Sequence, residues 1–194
     1  TSEPIENVTF ELLDVDGKSL GTATTNQEGI ANFERLYPGN YQIKEVITGE
    51  QFVLNSEAFD ITVEWNKTVT KTITNSYKKG NLKVIKMDKE TQEPIEGVSF
   101  ELIDIDGNIV KTGVTDKNGE ILFENLMIGK YQLKEKQPNE NYVLKIEPID
   151  VLIEYDQTTV QEITNERKKG NLEIYKVDKE DHQITLSGVI FELY

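Results

Sequence analysis

Lys78-Lys79-Gly80-Asn81-Leu82 recurs as Lys168-Lys169-Gly170-Asn171-Leu172, 90 positions further on. The match runs without a gap: Glu45 and Glu135, Asn75 and Asn165, and Lys86 and Lys176 keep the same spacing. A repeat at fixed spacing governs every later inference about the fold. This one is much longer than a solenoid unit, so each copy is expected to be a domain with its own core. Residues 1–79 read as a unit lacking its first strand, 80–169 as a complete unit, and 170–194 as the first strands of a third. An out-of-phase cut of this kind is expected of a piece of a longer repetitive protein. The junction Asn75-Ser76-Tyr77-Lys78-Lys79-Gly80 has no Ser/Gly or Pro run, so neighbouring repeats are expected to move little against each other.

Within each unit the apolar residues alternate in short runs separated by turn residues, and helical spacing is almost absent. Leu82, Val84 and Lys86 share one strand face, as do Val98, Phe100 and Leu102, and Tyr131, Leu133 and Glu135. Asp106-Gly107 and Asn118-Gly119 read as hairpin turns, because both positions of each tolerate positive φ. Further strands are expected over 149–155 and 158–165. With about seven short strands in one repeat, the fold class is all-β, a tandem array of Greek-key, Ig-like sandwiches.

The formal net charge is -14. Phosphate contact needs a basic surface, so nucleic acid and anionic membranes are excluded as partners. No apolar run approaches the ~20 residues of a membrane span, so no membrane insertion by this stretch is expected. There are no cysteines, which rules out disulfides and thiolate metal sites, and His182 is the only histidine. Asp14-Val15-Asp16-Gly17 and Asp104-Ile105-Asp106-Gly107 lack the further oxygen ligands of a calcium loop and read as turns. No metal and no cofactor are expected.

The informative anomaly is a set of polar residues in phase with apolar faces: Lys86 after Leu82 and Val84, Glu135 after Tyr131 and Leu133, Asn165 after Ile163. A lone buried charge is costly, so three arrangements are open. Each residue could sit at a strand end and reach water; Lys86 and Glu135 could form a buried salt bridge; or the three could meet as a reactive set. In the third case desolvation lowers the lysine pKa and raises that of the glutamate, which stays protonated and donates to the asparagine carbonyl. Attack of Lys86 on the Asn165 side chain would release ammonia and leave an amide cross-link, with folding supplying the proximity.

The order Gly80-Asn81-Leu82-Lys83-Val84-Ile85-Lys86-Met87-Asp88, then Pro94 to Leu102, then Gly129 to Glu135, then Ile163-Thr164-Asn165 resembles the collagen-adhesin B-type domain. These CnaB or SpaA-like, prealbumin-like repeats occur in Gram-positive surface adhesins and pilins. The resemblance implies a Lys–Asn isopeptide bond between first and last strands, with Lys86 as nucleophile, Asn165 as acceptor and Glu135 as the promoting acid. In the first unit Glu45 and Asn75 match the acid and acceptor, and their lysine would lie upstream. In the third, Lys176 matches the lysine. Glu140-Asn141-Tyr142 departs from the family's Asp-Gly-Tyr after the acid.

The resemblance also implies an extracellular, cell-wall-anchored surface protein. The expected role is a stalk or spacer rather than a turnover enzyme, since the reactive set is consumed in a single self-cross-linking event. The alternatives are a module that binds a host matrix protein and a pilus-shaft subunit. The expected partners are neighbouring repeats of the same protein, and a host matrix protein reached through other domains. Head-to-tail self-association is a further expectation: Lys176 of one molecule would meet Glu45 and Asn75 of the next, across an unpaired sheet edge.

Overall fold

The structure, a computed structural model, describes residues 3–185 and 187–192. Among them it contains eleven strands and no helix. The first unit supplies β1 (Thr9–Leu13), β2 (Ser19–Thr24), β3 (Gly39–Ile47) and β4 (Ala58–Val63), in one sheet of order β2-β1-β3-β4. The second supplies β5 (Lys79–Asp88), β6 (Ser99–Ile103), β7 (Ile109–Val114), β8 (Glu120–Met127), β9 (Gly129–Gln137), β10 (Ile149–Ile153) and β11 (Thr158–Asn165). These seven form two sheets, β10-β9-β6-β7 and β11-β5-β8. Strand β5 is the centre of the smaller sheet: it runs antiparallel to β8 and parallel to β11.

The expected alternation is present. β5 buries Leu82, Val84, Lys86 and Asp88 on one face, and Phe100, Leu102 and Leu133 meet them from the other sheet. Fourteen buried apolar residues make a single core in the second unit. The first unit buries only Val8, Leu12, Phe52 and Ile61 to the same degree. At about 1.5–3 kcal/mol per fully buried apolar side chain, its lone sheet is far more thinly held.

The first unit was expected to lack only its opening strand, but three strands are absent. Residues 30–37 and 68–75, the counterparts of β8 and β11, form no strand. The reason is topological. In the complete unit both pair with β5, which lies between them, and residues 3–79 contain no equivalent of β5 to pair with. Phe33 and Ile73 are half-buried where Phe123 and Ile163 are sealed. Residues 170–194 were expected to begin a third repeat. Their described part has no strand, only an isolated bridge between Val177 and Thr185, for the same lack of partners. Leu186, Leu193 and Tyr194, like Thr1 and Ser2, lie outside the described residues.

Two turn expectations also need correction. Asp106-Gly107 lies in a hairpin, but the loop runs from Asp104 to Asn108, longer than two residues. The Asp104 carboxylate closes it, accepting from the amides of Asp106 (3.0 Å) and Asn108 (2.8 Å), while Asp104 N donates to Asn108 O at 2.9 Å. Asn118-Gly119 makes no hairpin: β7 and β8, on either side of it, belong to different sheets. Gly119 adopts φ +73°, and its carbonyl accepts from Lys86 N at 2.7 Å. A Cβ at Gly119 would fall 2.4 Å from the Lys86 carbonyl oxygen, so the crossover needs glycine for space as well as for conformation.

Gly107 has a similar φ of +85° but nothing within 4 Å of its Cβ position. Gly107→Ala should therefore cost about 1–2 kcal/mol from backbone conformation alone, and Gly119→Ala clearly more. Denaturant unfolding of the two variants side by side checks this; equal losses would contradict the close approach at Gly119.

Candidate functional site

Strand alternation points Lys86 into the core, where it is fully buried. Its Nζ donates to Asn165 Oδ1 at 2.5 Å and lies 3.4 Å from Glu135 Oε2. Asn165 Nδ2 in turn donates to Glu135 Oε1 at 2.7 Å. Lys86 and Asn165 come from the parallel neighbours β5 and β11, and Glu135 reaches across from β9 in the opposite sheet. Glu135 and Asn165 are 4% and 3% exposed, so none of the three escapes to water at a strand end. A buried Lys–Glu ion contact does exist, but the lysine's shorter contact is with the amide.

Burial pushes the Lys86 amine down from its ordinary 10.5 to about 8; the Glu135 charge pulls the other way and is the weaker influence. A neutral amine is therefore accessible near physiological pH. The orientation of the amide differs from the sequence expectation. Glu135 meets the amide nitrogen of Asn165, and the carbonyl oxygen faces the lysine instead. Glu135 Oε2 is buried and, at 3.4 Å from Nζ, lies in ion-pair range without hydrogen-bond geometry. One carboxyl thus touches both nitrogens of an amine–amide exchange, the one that would attack and the one that would leave.

The first unit repeats half of this. Glu45 is 1% exposed and accepts from Asn75 Nδ2 at 2.7 Å, the same distance as in the second unit, and from Asn55 N at 3.3 Å. Asn75 Nδ2 also donates to Val53 O at 3.0 Å. Glu45 Oε2 is buried without a hydrogen-bond partner, and no lysine pairs with it among the described residues. Lys176 lies far along the chain on an exposed stretch, with its Nζ donating to Val177 O at 3.2 Å; it is not brought to Glu45 or Asn75. Among the described residues no group of His, Asp or Glu is arranged to hold a metal ion.

One neighbouring cluster escaped the sequence reading. Asp88 is 1% exposed and accepts from Arg167 Nε and from the Tyr142 hydroxyl. The signal was present, since Asp88 continues the alternation Leu82, Val84, Lys86 by one more step.

A repeated strand plan, completed in the second unit as a two-sheet sandwich with a sealed lysine, amide and carboxyl between the sheets, defines a prealbumin-like all-β domain. The chain belongs to the SpaA family of prealbumin-like fold domains, whose model matches residues 1–77 and 80–167. It is 30% identical over 155 residues to serine-aspartate repeat-containing protein F of Staphylococcus epidermidis, covering 69% of this chain and 10% of that protein. It is 41% identical over 70 residues to the collagen adhesin of Staphylococcus aureus, covering 33% of this chain and 6% of that one. Among solved structures, the Bacillus anthracis TIE protein superposes with a TM-score of 0.83 at 28% identity, over 92% of this chain and 34% of its own. The chain therefore spans only a small part of these relatives, which are Gram-positive proteins that include surface adhesins.

The depressed amine has a consequence for stability. Between about 8 and 10.5 the unfolded chain holds a proton that the folded chain has given up, so stability rises with pH across that window. The Asn165→Ala variant, which has no acceptor, should show denaturant midpoints that climb from pH 8 to 10.5. Adding Lys86→Met should remove the climb. A flat or falling profile in the single variant would contradict a buried, destabilised ammonium.

Proposed function

We propose that the complete unit is a covalently closed stalk module of a Gram-positive surface protein, and that its closure is an isopeptide bond between Lys86 and Asn165. The observation that carries this is the meeting of amine, carboxamide and carboxyl in a dry core between the first and last strands. Glu135 takes a proton from Lys86 Nζ, and the neutral amine attacks the carboxamide carbon of Asn165. Glu135 delivers that proton to Nδ2, the C–Nδ2 bond breaks, and Nζ, still carrying one proton more than an amide holds, gives it up through the same carboxyl to the departing ammonia. Two protons of the original ammonium leave with Nδ2 as an ammonium ion, and Glu135 ends as it began. Exclusion of water favours each transfer, because the fixed groups need no reorganisation. The event occurs once per domain, so the module is not a turnover enzyme.

A stalk has to resist pulling at its two ends, and β5 and β11 are the strands that carry the load. The parallel arrangement and a bond between them put a covalent path across the domain. The surface-adhesin relatives support an extracellular location, and wall anchoring and matrix binding are taken as properties of the whole protein. Of the two alternatives, a matrix-binding module is tested by solid-phase binding of this chain to collagen. A pilus shaft is tested by sortase-dependent ladders of the full-length protein.

By loop closure, the bond should stabilise the domain by about 4–5 kcal/mol. Glu135→Ala should therefore melt well below the unmodified chain while keeping its β-sheet spectrum. In single-molecule pulling, the 79-residue separation between Lys86 and Asn165 should stay locked, so the second unit gives up roughly 270 Å less extension than its length allows. Full extension of that unit would rule out the covalent path.

A second reading rests on the buried, unpartnered Glu45 Oε2 beside Asn75, together with the exposed Lys176. Residues 171–178 carry the β5 pattern, with Leu172 and Ile174 exposed where Leu82 and Val84 are sealed. One copy could lend this segment to the first unit of another, bringing Lys176 to Asn75. Denaturing electrophoresis of the concentrated chain should then show a ladder that Lys176→Ala abolishes; a single band would dismiss the covalent form.

A further inference from the structure

Strands β5 and β11 are parallel, so no hairpin sets their register, and they are separated by the whole of the domain between Asp88 and Thr158. Yet the proposed chemistry depends on that register. A slip of one residue would turn Asn165 out of the core. A slip of two would carry it about 6.6 Å along the strand, out of reach of the amine. In the observed register Ile163 lies opposite Lys86, and Asn165 lies opposite Asp88.

The residues just past the reactive pair hold this alignment. Asp88 Oδ2 accepts from Arg167 Nε at 2.5 Å and from the Tyr142 hydroxyl at 3.0 Å. Its Oδ1 accepts from the amides of Glu90 (2.7 Å) and Thr91 (3.0 Å). Both oxygens of a buried carboxylate are thus saturated by donors from three separate segments. The Arg167 guanidinium holds the Asp88 carboxyl well below the usual carboxylate range, so the cluster stays charged. Three other ion pairs cross the same seam, Lys89–Glu166, Lys169–Glu90 and a second contact of Arg167, to Glu93 at 3.5 Å, but all lie on exposed side chains and contribute little. A charge-assisted bond to a buried, fully coordinated carboxylate is the stronger and more directional tie.

The first unit supplies an internal comparison. At the positions of Tyr142 and Arg167 it has Phe52 and Tyr77, which stack with ring centroids 4.6 Å apart. The same backbone bridge forms in both units, Phe52 to Tyr77 and Tyr142 to Arg167. The turn can therefore be built without the ion pair, and the polar cluster is an addition found in the unit that has a complete reactive set.

We propose that Asp88, Arg167 and Tyr142 form a register clamp whose role is to position Asn165 against Lys86. This rests on the cross-linking reading above. The three are positioning residues, since none touches the reacting atoms.

The test follows ammonia loss by intact mass during cell-free synthesis of the full chain, stopped at intervals, for the unmodified sequence, Arg167→Gln and Tyr142→Phe. Each substitution is also made with Glu135→Ala, where no bond can form, to measure the folded fraction and melting temperature by themselves. Arg167→Gln should slow ammonia loss by at least tenfold at a temperature where its Glu135→Ala partner is fully folded. The pH midpoint of the rate should not move, because geometry is altered and not the amine. Tyr142→Phe should slow it less. An unchanged rate, a slowing matched by lost folded fraction, or a shifted midpoint would each overturn the clamp. An unmodified chain that never loses ammonia would overturn the cross-linking reading itself, and with it the clamp.

Discussion

The structure depends on one costly placement: a lysine amine fully buried between the first and last strands of a sandwich. Desolvating an ammonium without compensation costs several kcal/mol, and here a carboxyl and a carboxamide from two other strands compensate it. All of this hangs on β5. It is the middle strand of its sheet, it supplies half of the inner face opposite β6 and β9, and it carries both Lys86 and Asp88 inward. Where the chain contains no equivalent of β5, in residues 3–79, the strands that would flank it do not form either. The smaller sheet behaves as a cooperative element: its outer strands have no partner except the middle one.

Comparison of the two units separates what β5 builds from what it only completes. The Glu–Asn contact is 2.7 Å long with the lysine and 2.7 Å long without it. The acid is sealed in both units. So the β9-type strand and the segment after the β10-type strand hold acid and amide together without the lysine. This suits the proposed chemistry, because the carboxyl holds the leaving nitrogen independently of the attacking one. The duplicated Thr25 and Thr115 tell the same story in the frame. Each hydroxyl donates to Ile5 or Ile95 at 2.7 Å and accepts from Val8 or Val98 at 2.9 Å, unaffected by the state of the neighbouring sheet.

Much of this was legible in the sequence, for identifiable physical reasons. Period-two alternation revealed the inner faces, and a polar residue falling in phase on such a face was the signal for Lys86, Glu135 and Asn165. The same rule extends to Asp88; Arg167 and Tyr142 carry no local pattern, because their partner lies across the domain. Turn chemistry identified where the chain bends but not what it joins. Asn118-Gly119 has the composition of a hairpin, yet it crosses between sheets and brings Gly119 against the Lys86 carbonyl. Nor did sequence likeness foretell the state of the first and third repeats. Residues 30–37, 68–75 and 170–178 keep strand-like patterns and form no strands, because a strand is stabilised by its neighbours as well as by its own residues.

The central claim is that amine and amide have become one bond in the second unit. Intact mass spectrometry of the purified chain, followed by proteolytic mapping, tests this most directly. The account predicts a single-chain mass lower than the sequence by one ammonia, with a branched peptide joining the segments that contain Lys86 and Asn165. A mass equal to the sequence, with Lys86 recovered on a linear peptide, would contradict it.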